Sequence, residues 1–372
     1  MSRHIAFVTT GDIESIATSK RAFGMAGPLA RRGFDVSIML EDTPSNRARL
    51  SLEAPMAKAH WFPRTGAIKE LRTKRKILRK IRPDVVYVGS YGIRNIVSPL
   101  RPVKATYLVE HSELPSAILN QSKSRRMLDF VLERLALDAF DGQVCASHYL
   151  MDFVRSRLSS DRHDGVLYSP YAFTREVLLP DESTVRRSQM DGPKQLLYMG
   201  TLAPNYGILH ILQAMAYLRQ RLDVKLVVLG KGRAYETAVA KAKELGIDDI
   251  VDFKGYVPED GLPECLGQAD AFVAPIFDTV QDIARCPSKM FMYVAYDRPI
   301  VTSEIGEAAA LFGKAYEFYF EPGNVIDMAA RLEDALTCPP DWTPDWSSAD
   351  HEWDARTEKF DQWLLTLLSR KR

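Results

Sequence analysis

From its first residues the sequence alternates between short, β-rich apolar runs and stretches of helical period, and it does so in two separate series. Residues 4–9 and 35–40 are β-rich. Between them, residues 15–32 have helical period and are closed by Gly33, a residue suited to the left-handed position that ends a helix. Residues 84–89, 104–109 and 143–146 continue the strands, and 127–140 and 148–158 supply helices. Short buried strands separated by helices specify a parallel sheet covered on both faces. The fold class is therefore α/β.

The pattern breaks once. Residues 181–194 are polar, with Pro180, Gly192 and Pro193 at the ends, and read as a linker. A second series follows, with strands expected at 195–199, 224–229, 250–253, 271–274, 299–302 and 316–320. Its helices are expected at 207–221, 234–245, 288–296 and 324–336, and a last amphipathic helix at 349–369. A chain of 372 residues suits two domains of ordinary size. They are assigned to 1–180 and 195–348, with residues 349–372 returning to the first. Such sheets bind ligands outside the C-terminal ends of their strands, so a cleft between two facing domains is expected.

Several classes drop out. The formal net charge of +1 carries no nucleic-acid signature. No run approaches the roughly 20 apolar residues of a membrane-spanning helix, and the run Ile5 to Val8 is too short for a signal peptide. A cytoplasmic protein is expected. The four cysteines are scattered, with neither a C-x-x-C pair nor His at ligand spacing, so no metal site is expected. The loop after the first strand, Thr9-Thr10-Gly11-Asp12-Ile13-Glu14, lacks the G-x-G-x-x-G of a dehydrogenase. Gly230-Lys231-Gly232 follows a strand, but one such turn is weak evidence.

The second half is more specific. It contains Leu196-Leu197-Tyr198-Met199-Gly200-Thr201-Leu202 with Gly207 following, then Val227-Val228-Leu229-Gly230-Lys231-Gly232. Val251-Asp252-Phe253-Lys254-Gly255-Tyr256-Val257-Pro258 and Ala269-Asp270-Ala271-Phe272-Val273-Ala274-Pro275 come next. Pro287-Ser288-Lys289-Met290-Phe291 and Arg298-Pro299-Ile300-Val301 complete the order. Together these segments resemble the C-terminal domain of family-4 type, or group 1, glycosyltransferases of the GT-B fold. The resemblance spans nearly the whole C-terminal domain; the N-terminal half matches in outline only.

The resemblance implies two Rossmann-like βαβ domains and a nucleotide-diphosphate sugar as donor, UDP favoured over GDP, with no cofactor and no metal. It implies retention of configuration and a glycan or lipid-linked acceptor in bacterial cell-surface polysaccharide synthesis. Donor contacts fall on Gly200, Thr201, Gly230, Lys231, Tyr256, Val257, Pro287, Ser288, Lys289 and Met292. Pro287 suits a helix's first turn, where free N–H groups and the helix dipole attract an anion. Lys289 and Arg285 add cations there. Departures are visible too: where the family commonly has two glutamates, this chain has Ala284 and Met292, and Thr201 and Tyr206 stand in place of a basic pair. The Ser288-Lys289 context resembles the xanthan glucuronosyltransferase type. A catalytically silent nucleotide- or glycan-binding relative and a GT-B sugar-nucleotide epimerase are the alternatives; for the latter the acid–base candidates are Asp278, Asp282, Glu110 and Glu113.

In the first domain, the strand at 104–109 runs into Glu110-His111-Ser112-Glu113, the edge where a ligand-facing residue belongs. Glu110 and His111 are catalytic candidates, His111 by contact with the donor sugar. Glu113, Gly11 and Asp12 are acceptor-side candidates. Between Lys69 and Arg82, eight of fourteen residues are Lys or Arg, and Ile68, Leu71, Leu78 and Ile81 share a helical face that can pack on the domain. The outward cations, with Arg125 and Arg126, point to peripheral contact with an anionic membrane.

Overall fold

A computed structural model describes residues 3–14, 19–97, 101–180, 192–339 and 341–370. The chain divides into two compact units, one of Met1–Thr174, Ala284–Cys286 and Glu352–Arg372, the other of Arg175–Ile283 and Pro287–His351.

The first unit runs β1 (Arg3–Val8), α1 (Lys20–Arg31), β2 (Phe34–Glu41), α2 (Pro44–Glu53), β3 (Lys58–Phe62), α3 (Ala67–Ile81), β4 (Val85–Val88), β5 (Thr106–His111), α4 (Lys123–Ala139), β6 (Gly142–Cys145), α5 (His148–Arg155) and β7 (Val166–Tyr168). Its seven strands order as β3-β2-β1-β4-β5-β6-β7, and every pair is parallel. β1 and β4 pair at the centre of the sheet, and the strand order runs outward from them in opposite directions, a switch point at whose edge ligands collect. Sequence period missed α2, β3 and β7. α2 has no apolar stripe to reveal it, since its buried residues are Asn46 and Arg49. Its signal is the cap, Thr43 accepting from Asn46 N with Pro44 in the first turn.

The second unit runs α6 (Arg175–Leu178), β8 (Lys194–Met199), α7 (Ile208–Leu218), β9 (Val224–Leu229), α8 (Tyr235–Glu244), β10 (Val251–Gly255), α9 (Leu262–Gln268), β11 (Ala271–Ala274), α10 (Val280–Ala284), α11 (Ser288–Tyr293), β12 (Ile300–Thr302), α12 (Gly306–Phe312) and α13 (Val325–Leu336). Five parallel strands order as β10-β9-β8-β11-β12. Ile211, Leu212 and Met215 of α7 meet Met328 and Leu332 of α13 in one core with Leu226 and Val228. The strand expected at 316–320 shrinks to a single bridge between Thr302 and Tyr319.

The domain boundaries differ from the sequence reading. Residues 175–178 belong to the second unit, where Tyr296 Oη donates to Leu178 O at 2.7 Å. Most of the expected linker, residues 181–191, lies outside the described residues, as do 15–18 of the first helix. The last helix, α14 (Trp353–Ser369), belongs to the first unit. Trp353 lies so close to α1 that a Cβ on Gly24 would come within 2.1 Å of the indole Nε1. Asp354 binds Arg32 at 3.0 Å and Arg31 at 2.8 Å, and those guanidinium hydrogen bonds hold its carboxyl down to about 2.

Candidate functional site

At the C-terminal edge of the second sheet, three loops are joined backbone to backbone beyond the strands. Gly200 N donates to Leu229 O at 2.9 Å, Leu202 N to Lys231 O at 2.9 Å and Gly230 N to Gly255 O at 2.6 Å. The glycines are required by space and by torsion. A Cβ on Gly230 would fall 1.9 Å from Gly200 O, and one on Gly232 would fall 2.2 Å from Leu202 O. Gly200 and Gly230 both have φ of +148°, in the region that favours glycine. The result is a stretch of bare backbone at Gly200, Gly230 and Gly232.

Lys289 stands over this stretch. Its Nζ lies 4.1 Å from the Tyr198 ring centroid, and 3.3 Å from where a Cβ on Gly200 would sit. The position is fixed from beneath: Tyr293, one turn later, stacks on Phe272 with centroids 4.4 Å apart. Its hydroxyl accepts from Met199 N at 2.8 Å. Lys231, exposed, reaches over the Tyr256 ring at 5.4 Å. Thr201 is exposed; Val257, Pro287, Ser288 and Met292 are half-buried. Six of the residues named from sequence, Gly200, Gly230, Lys231, Tyr256, Ser288 and Lys289, thus flank the same three loops and the start of α11.

Two details depart from expectation. Pro287 is the N-cap of α11, not its first residue, and α11 runs only to Tyr293 before tightening into a 3-10 turn. Its dipole is correspondingly small, and Lys289 is the larger positive charge. Asp297 closes the turn in the left-handed region with φ of +48°. Arg285 belongs with Ala284–Cys286 to the first unit. There Ser147 Oγ donates to Ala284 O at 2.6 Å and Tyr171 N to Cys286 Sγ at 3.5 Å. Arg285 is an electrostatic neighbour of Glu113. Ala284 is fully buried with Leu114, Cys145 and Val154.

The first unit re-assigns several candidates. Glu110 and His111 lie inside β5, and both are buried. Glu110 forms an ion pair with Arg21 Nε at 3.0 Å, and accepts from Tyr87 Oη at 3.2 Å and Tyr171 Oη at 3.1 Å. Arg21 also donates to Ser169 Oγ and O at 2.9 and 2.7 Å. With both oxygens engaged, Glu110 is the counter-charge of a buried arginine and is withdrawn as a catalytic candidate. Asp282, buried, closes its own loop by accepting from Phe277 N at 2.8 Å.

His111 differs. Gln143 Nε2 donates to Ala136 O and Leu137 O at 3.2 and 3.4 Å, so Gln143 Oε1 faces His111 Nε2 at 2.7 Å and fixes the proton there. Nδ1 is left as an acceptor with no partner among the described residues. Burial holds the imidazole down to about 4, so the ring is neutral at ordinary pH.

The loop after β1 is held by side chains that the sequence reading passed over. Asn46 donates to Gly11 O at 3.1 Å and Glu41 O at 2.9 Å, and accepts from Ile13 N at 3.1 Å. Gly11 turns there with φ of +78°. Thr10 Oγ1 donates to Glu70 Oε1 at 2.7 Å, and Glu70 and Lys74 pair at 2.6 Å in full burial. Asp12 accepts from Glu14 N at 2.9 Å within the turn. Lys74 therefore faces inward, while Ile68, expected to pack, is 64% exposed. Among the described residues no three His, Cys, Asp or Glu side chains group as metal ligands.

Comparison with known proteins locates the resemblance in the same half. Residues 193–338 match the family model of glycosyl transferases group 1. An uncharacterised glycosyltransferase of Methanocaldococcus jannaschii is 27% identical over 141 residues, which are 37% of this chain and 35% of that protein. The match thus spans about a third of the curated relative. Among solved structures, Anabaena HepE in complex with UDP and glucose aligns with a TM-score of 0.72 at 14% identity, covering 99% of this chain and 100% of that one. Sucrose-phosphate synthase from Thermosynechococcus elongatus aligns with a TM-score of 0.69 at 16% identity, covering 99% and 97%. The fold of two parallel α/β sheets is that of GT-B glycosyltransferases.

Proposed function

We propose that this chain, whose residues 193–338 match the family model of glycosyl transferases group 1, is an enzyme that transfers a sugar from a nucleotide-diphosphate sugar, UDP-linked in preference to GDP-linked, to a glycan or lipid-linked acceptor. The observation that carries this reading is the glycine wall of Gly200 and Gly230 with the Lys289 ammonium standing over it. A diphosphate needs close backbone approach and a fixed cation, and this edge offers both. The UDP and glucose bound to Anabaena HepE support the nucleotide assignment.

In the proposed reaction, negative charge grows on the leaving diphosphate as the glycosidic bond breaks. Lys289 and the start of α11 at Ser288 stabilise that charge, with no metal taking part. The acceptor hydroxyl attacks from the leaving-group face and passes its proton to the departing phosphate oxygen, which gives retention without a protein nucleophile. Tyr256 and Val257 border the nucleotide base, and Lys231 and Met292 the rest of the donor. His111 Nδ1 accepts a hydrogen bond from a sugar hydroxyl, a role suited to a ring that stays neutral. On the acceptor side we assign Gly11, Asp12 and Glu113, with Arg285 tuning Glu113.

The pathway we assign is cell-surface polysaccharide synthesis, with α3 turned toward an anionic membrane. The test is a thermal-shift panel with UDP, GDP and ADP, since a ligand of the native state raises stability by mass action. UDP is expected to give the largest shift, and a UDP-sugar to be turned over with an acceptor. No shift with any nucleotide would overturn the donor assignment. A shift with UDP but no turnover of any UDP-sugar would identify a silent binding relative.

A further inference from the structure

Helix α4 is apolar on both sides. Inward, Leu132 and Ala136 join Leu78 of α3 in one core against Val86, Val88 and Tyr107 of the sheet. Outward, Met127, Phe130, Val131 and Leu135 form a ridge at helical spacing and are 65, 59, 46 and 42% exposed. A helix that is hydrophobic all round normally has something covering both sides. Scattered surface apolar residues need no explanation, but a contiguous ridge does.

The charges around the ridge say what covers it. Lys123, Arg125, Arg126 and Arg134 of α4 are exposed, whereas its acids are mostly turned inward. Asp129 is buried under Arg125 at 2.9 Å. Glu133 is buried and accepts from Ser116 N and Oγ, each at 2.8 Å. Only Asp138, in the last turn, is exposed. Moreover, the first turn carries three cations and no acid, an arrangement the helix dipole disfavours. An external anion would offset that cost. Because α3 packs into the same core, its exposed Lys69, Arg72, Lys76, Arg79 and Lys80 belong to the same face of the sheet.

We propose that the α4 ridge inserts into the interfacial layer of an anionic lipid bilayer, with the α3 and α4 cations on its headgroups. This deepens the membrane assignment made above: contact is not electrostatic alone, and α4 supplies the inserting element. Amphipathic helices held this way combine buried apolar area with attraction to anionic lipid.

The experiment is flotation of the full-length protein with phosphatidylcholine vesicles, with and without phosphatidylglycerol, at low and high salt. The protein is expected to float with the anionic vesicles and to keep part of that binding at high salt, because apolar insertion is not screened. The double variant Phe130→Gln/Leu135→Gln should lose at least about tenfold in vesicle affinity. It should keep its melting temperature and its UDP-induced shift, which read the fold and the donor site independently. As a second probe that preserves the apolar ridge, Phe130→Trp should blue-shift on adding anionic vesicles. Three results would overturn the proposal: wild-type protein that stays soluble with both vesicles, a double variant that floats like wild type, or a ridge whose removal instead converts a dimer to a monomer.

Discussion

Lys289 and His111 show how little of a residue's role is set by its type. Lys289 is held by Tyr198 and by the stacking of Tyr293 on Phe272, so its ammonium is fixed before any ligand arrives. Lys289→Ala should weaken UDP binding by about 1.5 to 3 kcal/mol, the range for a charged hydrogen bond. Titration calorimetry on the folded variant would measure this, and unchanged affinity would remove the diphosphate assignment. His111 makes a different prediction. Its imidazole takes a proton only near pH 4 when folded, against about 6.5 when unfolded. The unfolded state therefore binds more protons in that window, and stability falls as pH drops from 6.5 to 4. His111→Gln should abolish a contribution of up to about 3 kcal/mol to this slope. Urea unfolding of both proteins at several pH values is the measurement; parallel profiles would show that the ring is not held neutral.

At the scale of elements, the glycine loops act as a pair, and neither is built without the other. Gly200 O occupies the space where a side chain on Gly230 would go. Gly230→Ala should therefore separate the β8 and β9 loops, lower the melting temperature and abolish the UDP-induced shift. Gly66→Ala is the matched control, because a Cβ there meets nothing within 4 Å and its φ of −61° suits alanine. Equal effects from the two substitutions would mean that the close approach is unimportant. The same scale explains Glu70 and Lys74. They sit on a helix read from its sequence as a cationic surface, yet they turn inward and tie α3 to Thr10 in the loop after β1.

For the whole molecule, the chain's path matters as much as its elements. The N-terminal unit is completed by α14, whose Trp353, Phe360 and Leu364 are buried. Each such side chain contributes about 1.5 to 3 kcal/mol when fully buried, so a chain ending at Glu352 should lose several kcal/mol. The loss should appear as a lower first unfolding transition, with a UDP-stabilised transition persisting. Loss of both together would mean that the two units do not unfold separately.

Much of this was determined by the sequence alone. Strands at 224–229 and 271–274 and the start of α11 at Ser288 were placed from local period, because burial on a sheet or helix face writes itself into neighbouring residues. The glycine loops and Lys289 were legible for a related reason: each motif is a contiguous run. The short segments escaped. α2 has a cap but no stripe, and residues 316–320 carry strand-like composition yet pair with β12 only through the Thr302–Tyr319 bridge. Only the tertiary structure decided that Glu110 answers Arg21, that Asn46 holds Gly11, and that Ala284–Cys286 joins the first unit. Those pairings join residues far apart in the chain, and what a buried charge does depends on what the fold brings opposite it.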